Sequence, residues 1–216
     1  MDVKGIVLHD ILIPSIYKLY KEDFRNIRFG VSERNICARL AHHMENIMRE
    51  YDSCAESPLF TDYYADVEYN RMDNGRMKHY EDRLKCPRYM VSDLLIQCRG
   101  YERNLLAVEL KKKGSTKKAI AKDKERLTSL VTPGVLSQLA GCVHDTILGA
   151  FILYSKDGVD MDIFEFSSEE GKVVSRKYSL RCIFCVDDET KVKAMDLCDG
   201  SQCRLIDLDE PHLFRD

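Results

Sequence analysis

Asp93 and the triplet Glu109-Leu110-Lys111 stand sixteen residues apart on two apolar runs of this 216-residue chain. Two carboxylates and a lysine brought together on neighbouring strands can hold a hard divalent cation against a phosphodiester, because such a cation takes oxygen ligands and polarises a phosphoryl oxygen. The run 104–111, Asn-Leu-Leu-Ala-Val-Glu-Leu-Lys, has the length and apolar content of a buried strand. Side chains alternate along a strand, so Glu109 and Lys111 share one face while Leu106, Val108 and Leu110 take the other. A carboxylate and an ammonium on so apolar a strand are costly unless they are paired or bind a metal. The run 89–97, which carries Asp93, has the same character, and residues 99–104 read as a turn between the two. Paired as a hairpin, the runs would set Asp93 beside Glu109. The same face parity favours Lys111 over Lys112, and Lys113 comes too late in the strand.

These residues need a scaffold, and the bulk properties bound it. The length suits one domain with a proper core. A hydrophobic content of 44% and a charged content of 32% fit a soluble globular chain. The net charge of -3 argues against a generally basic nucleic-acid coat but leaves room for a local basic groove. The longest apolar stretch, residues 147–154, is far too short to span a bilayer. The N-terminus lacks a signal peptide's basic start, apolar core and cleavage site, so the expected setting is cytoplasmic, with no membrane contact. Nine cysteines at scattered spacings then read as reduced thiols rather than a disulfide framework.

Along the chain, residues 6–24 carry apolar positions at helical spacing, with Pro14 expected to split them into two short helices. Ser32 is a good N-cap for a helix to about Arg49, striped by Ile36, Leu40, Met44 and Ile47. Residues 63–71 alternate like a strand, and Asp73-Asn74-Gly75 signals a turn. Ser115 is the expected cap of a basic amphipathic helix reaching about Leu130. A short helix is expected at 136–142 and a buried strand at 148–155. Beyond Gly158 the texture becomes β-rich, with short strands expected at 161–166, 172–178 and 181–186. There is no internal repeat, low-complexity tract or flexible linker. The expected division is a core over 1–156 and a β-rich extension over 157–216 packed on the same domain.

The order helix, strand, strand with Asp93, strand with Glu109-x-Lys111, helix, strand resembles the PD-(D/E)xK nuclease superfamily, in particular poorly characterised bacterial members. Ser32-Glu33-Arg34-Asn35-Ile36 with Arg39-Leu40-Ala41, then 66–71 (Asp-Val-Glu-Tyr-Asn-Arg), and 104–112 carry the likeness, which covers roughly residues 30–155. Ser92 stands where the superfamily often has proline, a position that is not a metal ligand. The resemblance implies a restriction-endonuclease-like α/β fold, a mixed central sheet flanked by helices, here with the β-rich C-terminal extension. It implies a Mg²⁺- or Mn²⁺-dependent nuclease, with DNA the expected substrate. Asp93 and Glu109 would hold the metal and Lys111 would orient or deprotonate the attacking water. Glu33, from the helix, or Glu68 would complete the acidic cluster, with Glu45 a weaker candidate and Gln97 a hydrogen-bonding neighbour by parity. The alternative is a catalytically inactive module of the same fold that binds nucleic acid or a protein partner. A homodimer is compatible with either.

Lys112, Lys113, Lys117, Lys118 and Lys122, with Lys124 and Arg126, concentrate positive charge after the Glu-x-Lys strand and are candidate contacts to a nucleic-acid backbone. The common explanation of such a run is a solvated helix face. Cys182-x2-Cys185 with Cys198-x4-Cys203, and His212 nearby, approaches zinc-ribbon spacing. The residues around Cys182 lack a metal knuckle's glycines, however, and read as a buried strand, where free cysteine behaves as a small hydrophobe. No phosphate-cradling Gly-x-x-x-x-Gly-Lys loop is present.

Overall fold

The computed structural model describes residues 2–68, 79–81, 87–89, 91–99, 103–133, 145–186 and 188–207. The Asp73-Asn74-Gly75 turn, the helix expected at 136–142 and His212 lie outside these residues. The strands β1 (Tyr63–Val67), β4 (Leu94–Cys98), β5 (Arg103–Lys112), β6 (Asp145–Ser155), β7 (Gly158–Ser167), β8 (Lys172–Cys185), β9 (Asp188–Cys198) and β10 (Cys203–Asp207) form one sheet in the order β1-β4-β5-β6-β7-β8-β9-β10. A separate pair joins β2 (His79–Glu81) and β3 (Pro87–Tyr89). The large sheet is mixed: β5 and β6 run parallel and the other neighbours antiparallel. It continues without interruption from β6 to β7, across residues 156 and 157, so the C-terminal strands extend the main sheet.

Helices cover both faces, as the alternation along β5 requires. Leu106, Val108 and Leu110 pack with the N-terminal helices, whereas Ala107 packs with α5 (Lys117–Val131). The N-terminal layer comprises the single turn α1 (Val3–Gly5), a π-helix (Ile6–Leu12), α2 (Ile13–Glu22), α3 (Phe24–Arg28) and α4 (Glu33–Cys54). The expected break at Pro14 does not occur. A π-helix leads directly into α2, and Pro14 falls where the π-helical pattern changes to the α-helical one, so the helix continues past it.

Three contacts fix this layer. Tyr20 donates from its hydroxyl to the carbonyls of Ser155 and Gly158, at 2.7 and 2.9 Å, pinning α2 to the β6–β7 turn. Asp23 accepts from Arg39 at 2.8 Å and pairs with the buried His43 at 2.7 Å, tying α4 to the α2–α3 junction. At the start of α4 the Ser32 hydroxyl accepts from the Asn35 N–H, as the sequence leads one to expect, but the helix runs five residues past Arg49.

Other expectations shift for local reasons. Asp93 precedes β4 rather than lying within it, and β1 stops at Val67, where Glu68 takes a positive φ of 52°. Asn70 and Arg71 lie outside the described residues. Thr116, not Ser115, caps α5; its hydroxyl accepts from the Ala119 N–H while Ser115 donates to the Lys112 carbonyl. The segments 172–178 and 181–186 fuse into the single strand β8, because β7 and β9 pair along successive parts of it.

Candidate functional site

The Lys111 ammonium, at the end of β5, is the point on which three elements converge. It lies 3.3 Å from Glu33 Oε2 of α4, 3.6 Å from Asp93 Oδ2 ahead of β4, and 3.7 Å from Asp123 Oδ2 of α5. It also donates to the Leu110 carbonyl at 3.0 Å. Backbone contacts hold the carboxylates in place. Asp93 Oδ2 accepts the Leu110 N–H at 2.8 Å, and Glu33 Oε1 accepts the Lys112 N–H at 2.9 Å. The antiparallel register Leu94↔Val108 explains how Asp93 arrives beside the Glu109–Leu110 segment. Glu33 arrives because Ser32 starts α4 at this end of the sheet, and a carboxylate in a helix's first turn is also favoured by the helix dipole.

Glu109 faces α5 and is completely buried. Arg126 meets it with a fork of two hydrogen bonds, from Nε at 2.6 Å and from a terminal nitrogen. The same guanidinium reaches Asp123 Oδ1 at 2.9 Å. Four carboxylates, Glu33, Asp93, Glu109 and Asp123, thus face two cationic side chains, Lys111 and Arg126. With all four ionised the cluster carries two excess negative charges; with the buried Glu109 protonated it carries one. The second oxygen of Asp123 is buried and accepts no hydrogen bond.

The electrostatics follow from this crowding. Burial pushes the Glu109 carboxyl up to about 8, although Arg126 pulls in the opposite direction. Burial by itself would lower the Lys111 ammonium, but Asp93, Glu33 and Asp123 together outweigh it and its pKa rises. Lys111 is therefore firmly protonated in this arrangement. Nearby, burial raises the Cys37 thiol far above its ordinary range and lifts the Tyr154 phenol to about 12, with Glu33 adding to the latter. Both are neutral groups close to the site.

Asp93, Lys111, Glu33 and Glu109 are thus assembled in one place. Glu68 is not joined to the cluster by its side chain: its N–H donates to the Asp93 carbonyl at 3.2 Å, but its exposed carboxylate pairs with Arg34 at 3.0 Å. Gln97 departs from expectation, donating to Asp66 at 2.8 Å. Glu45 pairs with Arg49 along α4. Lys112, Lys113, Lys117, Lys118 and Lys122 are exposed. Lys124 and Arg126 leave the expected basic face and turn inward, Lys124 onto Asp162.

Within residues 117–126, a basic stretch interrupted by Asp123 and Glu125, the charge pattern alone does not single out Asp123 and Arg126 as site residues. Their signal was positional. Asp123 falls on the stripe Ile120, Leu127, Leu130 at helical spacing, and Arg126 lies four residues before Leu130.

No family model, curated protein or solved structure matches this chain. The site must be read from its own chemistry. Its donors are carboxylate oxygens, the ligands of a hard cation, and the buried Asp123 oxygen that accepts no hydrogen bond suits such an ion. Glu109 fits only if Arg126 releases it, since both of its oxygens are taken.

The four cysteines with zinc-like spacing do not converge. Cys182 lies opposite Met195 and Cys185 opposite Asp188 across the β8–β9 pair, and both are free thiols. Cys198 and Cys203 are bonded to each other across the β9–β10 hairpin, against the expectation of reduced thiols throughout. Among the described residues, the one close group of three side chains of metal-ligating type is Asp196 with these two cysteines, whose sulfurs are engaged in the disulfide and offer no thiolate. No helix among them is long and apolar enough to cross a membrane.

Proposed function

We propose that this chain is a metal-dependent nuclease of the restriction-endonuclease-like type, cleaving nucleic-acid phosphodiesters, with DNA the first substrate to test. The observation that carries the reading is the Lys111 ammonium between carboxylates from three different elements, beside the buried Glu109 two residues away on the same strand. A structural ion pair needs one carboxylate. An arrangement that gathers four carboxyl groups around two cations leaves room for a third positive charge, whose arrival would also displace the Glu109 proton.

Asp93 and Glu109 are the residues assigned to a Mg²⁺ or Mn²⁺ ion, which would supply a polarised phosphoryl oxygen and an acidified water. Glu33 holds Lys111 at the strand end by bonding both its ammonium and the next backbone N–H. Lys111 points its charge to where negative charge grows on a phosphate under attack. When the surrounding carboxylates are neutralised, burial remains as the main influence on Lys111, and its proton is more easily given up. The exposed lysines of the β5–α5 connection and the first turns of α5 suit a phosphate backbone running past the site.

A second reading has its own observation. The two-bond grip of Arg126 on Glu109 describes a site that is complete without metal, as in a silent module that binds nucleic acid or a protein. Labelled single- and double-stranded DNA and RNA, incubated with Mg²⁺ or Mn²⁺, separate the two. Cleavage lost in both Glu109→Gln and Lys111→Ala, with both variants folded, is the expected result. Binding without cleavage under every metal condition would sink the nuclease in favour of the module.

A further inference from the structure

Asp123 is the residue of this cluster that the Glu-x-Lys arrangement does not explain. It occupies the buried stripe of α5 and is only 6% exposed. One oxygen, Oδ1, accepts from Arg126 at 2.9 Å. The other has no hydrogen bond, although buried acceptors without one are exceptions that call for a cause. That oxygen forms a loose ion pair with the Lys111 ammonium at 3.7 Å, and Asp93 Oδ2 pairs with the same ammonium at 3.6 Å. Both distances exceed those of a good charged hydrogen bond, so the ammonium is a loose ion-pair partner of the two oxygens and a hydrogen-bond donor to neither.

We propose that Asp123 is a metal-binding residue, so that a hard divalent cation is held jointly by Asp93, ahead of β4, and by Asp123 on α5. The inference rests on the nuclease reading and adds a ligand to it from the helix that also bears the exposed lysines. Lys111 is the place-holder. Its ammonium shields the two carboxylates from each other until a cation takes over that task, and it is then free to face the substrate. Joining the ion to α5 has a consequence for nucleic-acid binding. Metal occupancy would set the position of the helix whose lysines face the phosphate backbone, linking the two events through one rigid element.

A plainer role competes with this: Asp123 could serve only to steady Arg126 on Glu109. Mn²⁺ binding to the full chain, read from the loss of the free-ion paramagnetic resonance signal, separates them without any assay of cleavage. Asp123→Asn is expected to weaken Mn²⁺ binding by about tenfold or more, the scale on which lost support at a metal site is felt, and Arg126→Met to leave it unchanged or tighter. Wild-type affinity in Asp123→Asn would overturn the proposal, as would an equal loss in Arg126→Met. If the wild type binds Mn²⁺, Asp93→Asn abolishes binding and Asp123→Asn does not, the joint site falls while the nuclease reading stands. If the wild type binds no Mn²⁺, both fall.

Iron-directed scission of the wild-type chain needs no variant to fold. With Fe²⁺, ascorbate and peroxide, backbone cuts are expected beside both Asp93 and Asp123. Cuts beside Asp93 with none in α5 would overturn the assignment.

Discussion

Glu109 shows how a single side chain can carry a conflict that the rest of the site must balance. It is enclosed on the apolar strand β5, where ionisation is disfavoured, and it is faced by a guanidinium, which favours it. Burial is the larger influence, and the folded chain keeps the carboxyl proton up to about pH 8, against 4.5 for an ordinary glutamate. Between those values the unfolded chain binds fewer protons than the folded one. Stability from this group is therefore fully present at low pH and is lost as pH rises toward 8. Glu109→Gln has no such proton to lose. Urea melts of both proteins at about pH 5, 6.5 and 8 should show the wild type losing stability relative to the variant, by a few kcal/mol at most over the window. Parallel curves would mean that Arg126 keeps Glu109 ionised throughout. Asp123 and Arg126 teach the complementary lesson about legibility. Asp93, Glu109, Lys111 and Glu33 could be picked out because they stand on or beside apolar runs, where charge is anomalous. Asp123 and Arg126 stood among lysines, and only the helical period distinguishes the buried charges from the solvated ones.

Elements were legible where one signal dominated. The Ser32 cap and the apolar stripe after it gave α4, and the β4–β5 hairpin followed from two apolar runs and a short connection. Where pairing rather than propensity decides, the sequence was weaker. The second half of β8 and the lysine-bearing β9 are held by their neighbours, and β9 contributes Val192 and Met195 to the core beneath the N-terminal helices. Turn chemistry decides the β6–β7 junction. Gly158 has φ +132°, and a Cβ built there would stand 1.9 Å from the Leu180 carbonyl oxygen, which belongs to the adjoining strand. Its own carbonyl receives the Tyr20 hydroxyl. Gly158→Ala therefore has to move β8 as well as its own backbone, and a loss greater than about 1 kcal/mol is expected in thermal or urea unfolding. A variant as stable as the wild type would show that this junction relaxes without cost and that Tyr20 does not depend on it.

At the scale of the whole molecule, the sheet is a single body with one chemical end. β4, β5, α4 and α5 bring their charged residues to the Lys111 end, while β7 to β10 widen the sheet away from it. The widening strands complete the face on which the N-terminal helices pack, through Met161, Tyr178, Leu180, Val192 and Met195. Those helices include α4, which carries Glu33, so the extension supports the site through the helix layer. Charge is distributed in the same uneven way. The chain is acidic by three charges overall, yet Lys112, Lys113, Lys117, Lys118 and Lys122 are exposed together beyond Lys111. If this is where a phosphate backbone lies, binding releases counterions and weakens steeply with salt, each lysine contributing about one unit to the slope of log affinity against log salt. Replacing Lys117 and Lys118 by glutamine should lower affinity for duplex DNA and make that slope shallower by roughly 2. Fluorescence anisotropy across a KCl series, with Ca²⁺ in place of Mg²⁺, measures it in the two proteins. An unchanged slope would return these lysines to the role of a solvated helix face and move the nucleic-acid path to another side of the Lys111 cluster.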